Sequence, residues 1–497
     1  MQSNVVKKNL YVGIIYQVCV MLTGFAIRKY ISDYLGVYNL GVIGVFENAM
    51  SMLILLNFGV GDACMYYLYK YFAENNHYKI SEVYSFYKHI FKKVALGIFI
   101  FGLFILFNIN LIIDIEGNKA FLQIVFGAFL LKTVLYNLLI CPRTCFQCDG
   151  KRYVIIFSDL IAMMIFLVLK IFFIIKTMNL LIYILLLTIE TLISAAYIFF
   201  RFKKEYHYID TNLKETNKQL EKDIFNYAKS LFVSNINYFV YNSTDNIVLS
   251  KFCGTIVVGQ LSYYYIIVNA IKALVVQISN AIEAQIIKNY NIDSTDKKFQ
   301  YDFSMFFYFA ICSIFVTCLN VLTNDFIKLF FGQQYVLDKS ITYLMSTILL
   351  LDVMKMPSSM VVISRKLVNK EVPFTTLAMF LNVSLSILLA IKIGPQGVLL
   401  ATIISEIALL IGDELLAIHS DLNLDLKIVF KKFLYLAVII ANTYIANLIT
   451  IPVNNYLNWV VNGFICLFVA LFTSLLFVRT NEFKTLLNYL SSYIKRK

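Results

Sequence analysis

Charge is scarce in this chain. Only 15% of its 497 residues are Asp, Glu, Lys or Arg, against roughly 25% in an ordinary soluble domain. A soluble protein of this length needs many solvated Lys and Glu at its surface, so a soluble globular enzyme and a disordered chain are both excluded. Glycine is also sparse, at 19 residues, and cysteine numbers nine, which excludes collagen-like and disulfide-stapled classes. No P-loop, nucleotide-binding glycine pattern, Ser-His-Asp set or HExxH motif is present. What is there is apolar: 60% of the residues are hydrophobic, with 43 Phe and 34 Tyr but one Trp, and the mean hydropathy is +0.74 over the whole length. These numbers predict an all-α, polytopic membrane protein.

A membrane-spanning helix needs about 20 mostly apolar residues. Such runs lie near 9–30, 40–64, 94–113, 120–141, 153–175 and 181–200. After a charged stretch at 201–229 come 230–249, 259–285, 303–322, 339–363, 373–393, 397–418, 432–450 and 459–479. The reading is therefore about fourteen spans. No cleavable signal peptide is expected, because the first apolar run is too long and lacks a small-residue cleavage site.

The net charge of +13 is distributed unevenly. With the N-terminus inside, the inner segments hold 29 Lys and Arg, and the outer ones only Lys119, Lys176, Lys251 and Lys328. Basic residues collect on the cytoplasmic side of membrane proteins. Both termini are thus expected to be cytoplasmic, the basic segments to face membrane lipids, and nucleic acid is not an expected partner. The segments outside the spans reach only about 29 residues, too short for a catalytic domain. Cys141, Cys145 and Cys148 form C-x3-C-x2-C at the inner end of the fourth span. With no fourth ligand near in sequence, they are read as clustered reduced thiols, and neither a metal nor a cofactor is expected.

The chain contains an internal repeat. Ile31-Ser32-Asp33-Tyr34-Leu35-Gly36 runs on to Gly41, and Leu249-Ser250-Lys251-Phe252-Cys253-Gly254 runs on to Gly259. Serine and both glycines match at one offset. Pro142 matches Pro357, and Glu190 matches Glu406, at nearly the same offset and at the same topological places. This predicts a six-helix lobe over 1–200, a cytoplasmic charged linker over 201–229, a second six-helix lobe over 230–418, and two further spans with a cytoplasmic tail over 419–497. Parallel repeats of this kind are a transporter pattern.

Leu35-Gly36 and Gly41, then Leu56-Asn57-Phe58-Gly59-Val60-Gly61, resemble the opening of bacterial polysaccharide flippases, the O-antigen and capsule repeat-unit flippases of the multidrug/oligosaccharidyl-lipid/polysaccharide (MOP) exporter superfamily. Gly394-Pro395-Gln396-Gly397-Val398, followed by Ala401-Thr402 and Glu406, resembles a later region of the same proteins. The resemblance implies a V-shaped, MATE-like arrangement of the two lobes with a central cavity and alternating access. It implies transport of a polyprenyl-diphosphate-linked oligosaccharide from the inner to the outer leaflet of a bacterial plasma membrane, alongside a polysaccharide polymerase and glycosyltransferases. A cation-coupled drug antiporter of the same fold and a membrane polymerase or ligase of envelope glycan synthesis are the alternatives. An antiporter would want an acidic cavity. An enzyme would want a large external loop, which the short outer segments do not supply.

Ionisable residues within spans are costly and mark partners or water. Arg28, Lys132, Lys272 and Lys355 lie within predicted spans, and cations facing a cavity would attract a diphosphate. Each could instead pair with an acid, as Lys355 could with Asp352 one helical turn away. Glu47 and Asp245 lie in the first span pair of each lobe and are the coupling-ion candidates. Asp413 and Glu414 are expected to be solvated near the inner interface. Gly36, Gly41, Gly254 and Gly259 are the candidate gate, with Asp33 and Lys251 attracting one another at matching repeat positions.

Overall fold

The computed structural model describes residues 2–57, 59–115, 117–211, 213, 217–290, 296–420, 424 and 427–487. The side chains of 2–8, 10, 11, 230, 280–282, 284, 285, 287–289, 427 and 429 are outside that description, as are Phe58 of the glycine motif, Glu116, part of the predicted linker and the tail 488–497. The described residues form seventeen α-helices and four short 3-10 helices, with no strand among them. They divide into two compact units, Met1–Ser262 and Tyr263–Lys497.

The first unit holds α1 (Gln2–Tyr34), α2 (Val37–Leu53), α3 (Val60–Ala73), α4 (His77–Phe107), α5 (Lys119–Leu138), α6 (Ile140–Cys148), α7 (Arg152–Thr177), α8 (Leu180–Glu205), α9 (Lys218–Ser243), α10 (Asp245–Cys253) and the start of α11 (Thr255–Tyr290). The second holds the rest of α11, then α12 (Lys297–Phe330), α13 (Lys339–Ser364), α14 (Val368–Ile393), α15 (Pro395–Ile418), α16 (Lys427–Ile449) and α17 (Tyr456–Ser474).

Among the described residues, twelve helices are long and apolar enough to cross a membrane. The other two predicted spans fall on α9 with α10 and on α15. The run at 230–249 breaks at Thr244, and the polar Asn235, Asn237 and Asn242 lie along α9. Helix α15 carries three buried acids, Glu406, Asp413 and Glu414. Two other spans read as continuous are also broken. A 3-10 turn at Ile54–Asn57 splits 40–64 into α2 and α3, where Asn57 Oδ1 accepts from the Gly61 amide at 2.9 Å. The fourth span splits at Leu139, which places Pro142 in the first turn of α6, where a missing N–H costs nothing. Its repeat partner Pro357 lies inside unbroken α13.

The helices are amphipathic in the membrane sense, with apolar residues outside. On α7, Ile161, Ile165, Val168 and Phe172 are exposed, and on α17 Phe464, Phe468 and Phe472 are. These stripes suit acyl chains, because the helix satisfies its own backbone groups. The buried stripe of α14 is Ala378, Asn382, Ser386 and Ala390, small residues four apart that let α15 approach closely. Asn382 there donates to Thr402 Oγ1 at 3.2 Å.

Where it is described, the stretch 201–229 packs into the first unit. Tyr206, Ile209, Leu220, Ile224 and Ala228 are buried in a core with Tyr84, Tyr87, Phe91 and Phe146. Tyr206 Oη donates to Asp149 Oδ2 at 2.7 Å, and Glu82 accepts from the Asn217 amide at 3.0 Å. Burial and the neighbouring Asp149 carboxylate push the Tyr206 phenol well above its ordinary pKa. Cys141, Cys145 and Cys148 are free thiols buried in the same core.

Candidate functional site

In the first unit, five helices surround a cavity of about 310 Å3. Helix α1 supplies Tyr16, α5 Lys132 and Tyr136, α6 Arg143, α7 Asp159, and α8 Glu190 and Ser194. Local sequence explains the placement. Buried Ser158, Ala162, Phe166, Lys170 and Ile174 recur every four residues on α7, so that whole stripe turns inward, away from the acyl-facing side. The break before α6 turns Arg143 into the same cavity.

The Arg143 guanidinium grips Asp159 with both Nη atoms, at 3.0 and 2.7 Å, and donates to Ser194 Oγ at 2.7 Å. Ser194 in turn donates to Asp159 Oδ1 at 2.5 Å. Lys170 Nζ meets Glu190 Oε2 at 2.7 Å. Lys132 differs from both. Among the described residues it holds no hydrogen bond or ion pair, and it is half-buried in the cavity wall. Counting Lys170 with the lining groups, three cations meet two carboxylates. The cavity therefore carries one positive charge in excess, borne by an amine free to bind.

Arg28 and Glu47 do not line this cavity. They lie in the same unit, both within electrostatic reach of Tyr183 on α8. Glu47 is exposed on α2, and Asp245 opens α10 half-buried.

The second unit brings Lys272 and Lys355 together, but around acids. Lys272 pairs with Asp352. Lys355 sits 3.0 Å from Glu406 Oε2 and 3.8 Å from Asp352 Oδ1. The result is a chain of four alternating charges across α11, α13 and α15. Asp413 and Glu414, expected to be solvated, are instead buried. Asp413 accepts from Ser359 Oγ at 2.7 Å, while Glu414 pairs with Lys432 and accepts from Tyr301 Oη at 2.7 Å. The reason is tertiary: α13, α12 and α16 cover the C-terminal half of α15 with their own polar groups.

The repeat glycines fall at matching conformations. Gly36 has φ 89 and ψ 159, and Gly254 has φ 95 and ψ 148. Both lie in the positive-φ region that favours glycine. Gly41 and Gly259 meet reciprocally: a Cβ on Gly41 would lie 2.0 Å from the Thr255 carbonyl oxygen, and one on Gly259 would lie 2.2 Å from that of Val37. Val37 and Thr255 are themselves repeat partners, so the contact has the form of a local two-fold. The expected attraction between Asp33 and Lys251 is not formed. Lys251 Nζ donates to the Asn110 carbonyl at 2.9 Å, because the loop after α4 comes between. That loop is tied down further by Asp114, whose carbonyl accepts from Tyr38 Oη at 3.2 Å and Thr255 Oγ1 at 3.1 Å.

Arg143 and Lys170 escaped the sequence reading. Arg143 follows Pro142 just beyond the apolar run 120–141, where local sequence reads as a loop. Lys170 had a visible signal, as an isolated cation inside the apolar run 153–175 and in step with the small and aromatic residues at four-residue spacing.

The sequence matches no protein-family model and no curated protein. Solved structures do match. The lipid II flippase MurJ in an inward closed conformation is 17% identical, with a TM-score of 0.65 over 94% of this chain and 99% of that one. An inward-facing multidrug resistance MATE family transporter of the MOP superfamily is 14% identical, with a TM-score of 0.65 over 82% and 98%. A MOP superfamily transporter from Pyrococcus furiosus, described as having a binding pocket of reverse polarity, is 13% identical, with a TM-score of 0.56 over 85% and 96%. At these identities the likeness is one of fold. This chain has the all-helical fold of the MOP superfamily transporters.

Proposed function

We propose that this protein is a MOP-type transporter, and specifically a flippase that carries a polyprenyl-diphosphate-linked oligosaccharide from the inner to the outer leaflet for surface polysaccharide synthesis. The observation that carries this reading is the cationic excess of the first unit's cavity, with Lys132 unpaired among the described residues. An anionic diphosphate complements that charge. The likeness to a lipid II flippase over nearly the whole of both chains supports the same substrate class. A drug antiporter of the same fold, which the MATE likeness would suggest, wants the opposite cavity charge.

In this reading Lys132 is the primary diphosphate contact, with Arg143 beside it. Arg28 lies apart in the same unit. Lys272 and Lys355 are neutralised by Asp352 and Glu406, which makes them structural pairs first. Glu47 and Asp245 are the carboxylates proposed to couple transport to an ion, and the Gly41–Gly259 contact is the proposed gate.

Lys132→Gln should reduce flipping of an undecaprenyl-diphosphate oligosaccharide in proteoliposomes by about tenfold, the loss expected for one charge-assisted hydrogen bond of about 1.5 kcal/mol. Lys132→Arg should keep most of the rate. Wild-type flipping by Lys132→Gln would sink the proposal.

The proposed orientation puts both termini inside. On a cysteine-free background, Gly117→Cys should react with an impermeant maleimide added outside intact cells. Lys222→Cys should react only after lysis. The reverse pattern would invert the topology.

A further inference from the structure

The helices that carry Lys355 and Glu406 end together in a small basic pocket. Arg365 caps the C-terminus of α13, Lys370 lies in the first turn of α14, and His419 caps α15. With Leu367, Leu416 and Ser420 they enclose about 270 Å3. No carboxylate appears among the described residues that line it. The pocket differs in this from the Lys272, Lys355, Lys431 and Lys432 sites of the same unit, each of which meets an acid.

The basic groups are placed rather than scattered. Arg365 donates from one Nη to the Tyr290 carbonyl at 2.9 Å, which fixes its guanidinium. His419 Nδ1 lies 2.8 Å from the Leu415 carbonyl. With that nitrogen as donor, Nε2 is the ring's second polar atom. Lys370 is exposed and holds no ion pair among the described residues.

The surroundings say where the ligand comes from. Ile363, Val368 and Leu415, on the same three helix ends, are exposed apolar side chains. Cations above exposed apolar residues at the end of a bundle mark the headgroup level of a bilayer. A soluble phosphate would make no use of the apolar residues, whereas acyl chains would cover them.

The geometry points to a binding site for the phosphodiester headgroup of an anionic phospholipid, held by Arg365, Lys370 and His419. Arg365 offers the paired donors that phosphate oxygens accept. The bound lipid joins the ends of α13, α14 and α15, and so braces the helices that carry the Lys355–Glu406 pair. This inference does not depend on the transported substrate.

The test uses the full chain in nanodiscs of phosphatidylcholine, with and without phosphatidylglycerol. Native mass spectrometry reads retained lipid, and thermal unfolding reads stability. A basic residue near an anionic surface contributes about 1 kcal/mol, or about fivefold. Lys370→Gln, at an exposed side chain, should therefore lower phosphatidylglycerol retention about fivefold. Arg365→Gln with Lys370→Gln should lower it about twenty-five-fold and abolish the lipid-induced rise in unfolding temperature. Lys366→Gln, an exposed neighbour outside the pocket, should change neither. Equal losses at Lys366 and Lys370 would show diffuse attraction and overturn the site, as would undiminished retention by Lys370→Gln. Inorganic phosphate in neutral nanodiscs should leave the wild type unshifted. A phosphate-induced rise lost in Lys370→Gln would overturn the lipid assignment in favour of a soluble phosphate ligand.

Discussion

Glu190→Gln should destabilise the protein by about 3–5 kcal/mol, the usual cost of stranding one member of a buried ion pair. Lys170 is the stranded group. Its side chain is 3% exposed, and its ammonium meets Glu190 at 2.7 Å with no second acid in ion-pair range among the described residues. Glutamine still offers an acceptor oxygen but no charge, and the low dielectric around α7 and α8 magnifies the difference. The double variant Lys170→Met with Glu190→Gln removes both charges and should recover most of the loss. Unfolding of the purified protein, followed by loss of helical signal against denaturant, reads both numbers. Wild-type stability in Glu190→Gln, or a double variant no better than the single, would show that the pair is not held as described.

Gly41→Ala, and independently Gly259→Ala, should force α2 and the start of α11 apart. The added methyl would lie 2.0 or 2.2 Å from a backbone carbonyl oxygen, and a backbone atom cannot swing aside as a side-chain tip can. Overpacking of this kind costs about 1–3 kcal/mol and occasionally more. That corresponds to a shift of about fivefold to over a hundredfold between two arrangements. A cross-link reports it. A Cβ on Gly44 would lie 3.3 Å from Val258 Cγ1, so Gly44→Cys with Val258→Cys should form a disulfide under mild oxidation on a cysteine-free background. Adding Gly41→Ala should cut the yield at least about fivefold. If the contact is the proposed gate, flipping stalls in the same variants. A cross-link formed equally well with alanine at 41 would refute the close packing itself.

Much of the fold was legible in the residues. The apolar runs mark the helices because the cost of inserting a segment is set by its own composition. The glycines at 36, 41, 254 and 259 announced a repeat, and their conformations match. The helix breaks were less visible. Composition alone reads Leu56-Asn57-Phe58-Gly59 as one more stretch of span, yet the helix breaks there and Asn57 accepts from the Gly61 amide in the first turn of α3. At 230–249, Asn48 donates to the Ser243 carbonyl at 3.3 Å, a contact across 195 residues that no local window contains.

The candidate site divides the same way. Sequence alone determined which charges lie within apolar runs, since a cation in such a run must find water or a partner wherever it ends up. It could not say which cation finds which. Lys355 lies one turn from Asp352, the partner local spacing suggests, yet its nearer acid is Glu406, 51 residues away. Lys272 takes Asp352 from 80 residues away. Lys132, with the least to distinguish it in sequence, opens into the cavity with no acid in ion-pair range among the described residues. Span positions and the charge imbalance follow from composition, which is additive along the chain. Pairing follows from distances of a few ångströms between helices, where electrostatic energy in a low dielectric rises steeply, and only the tertiary structure sets those distances.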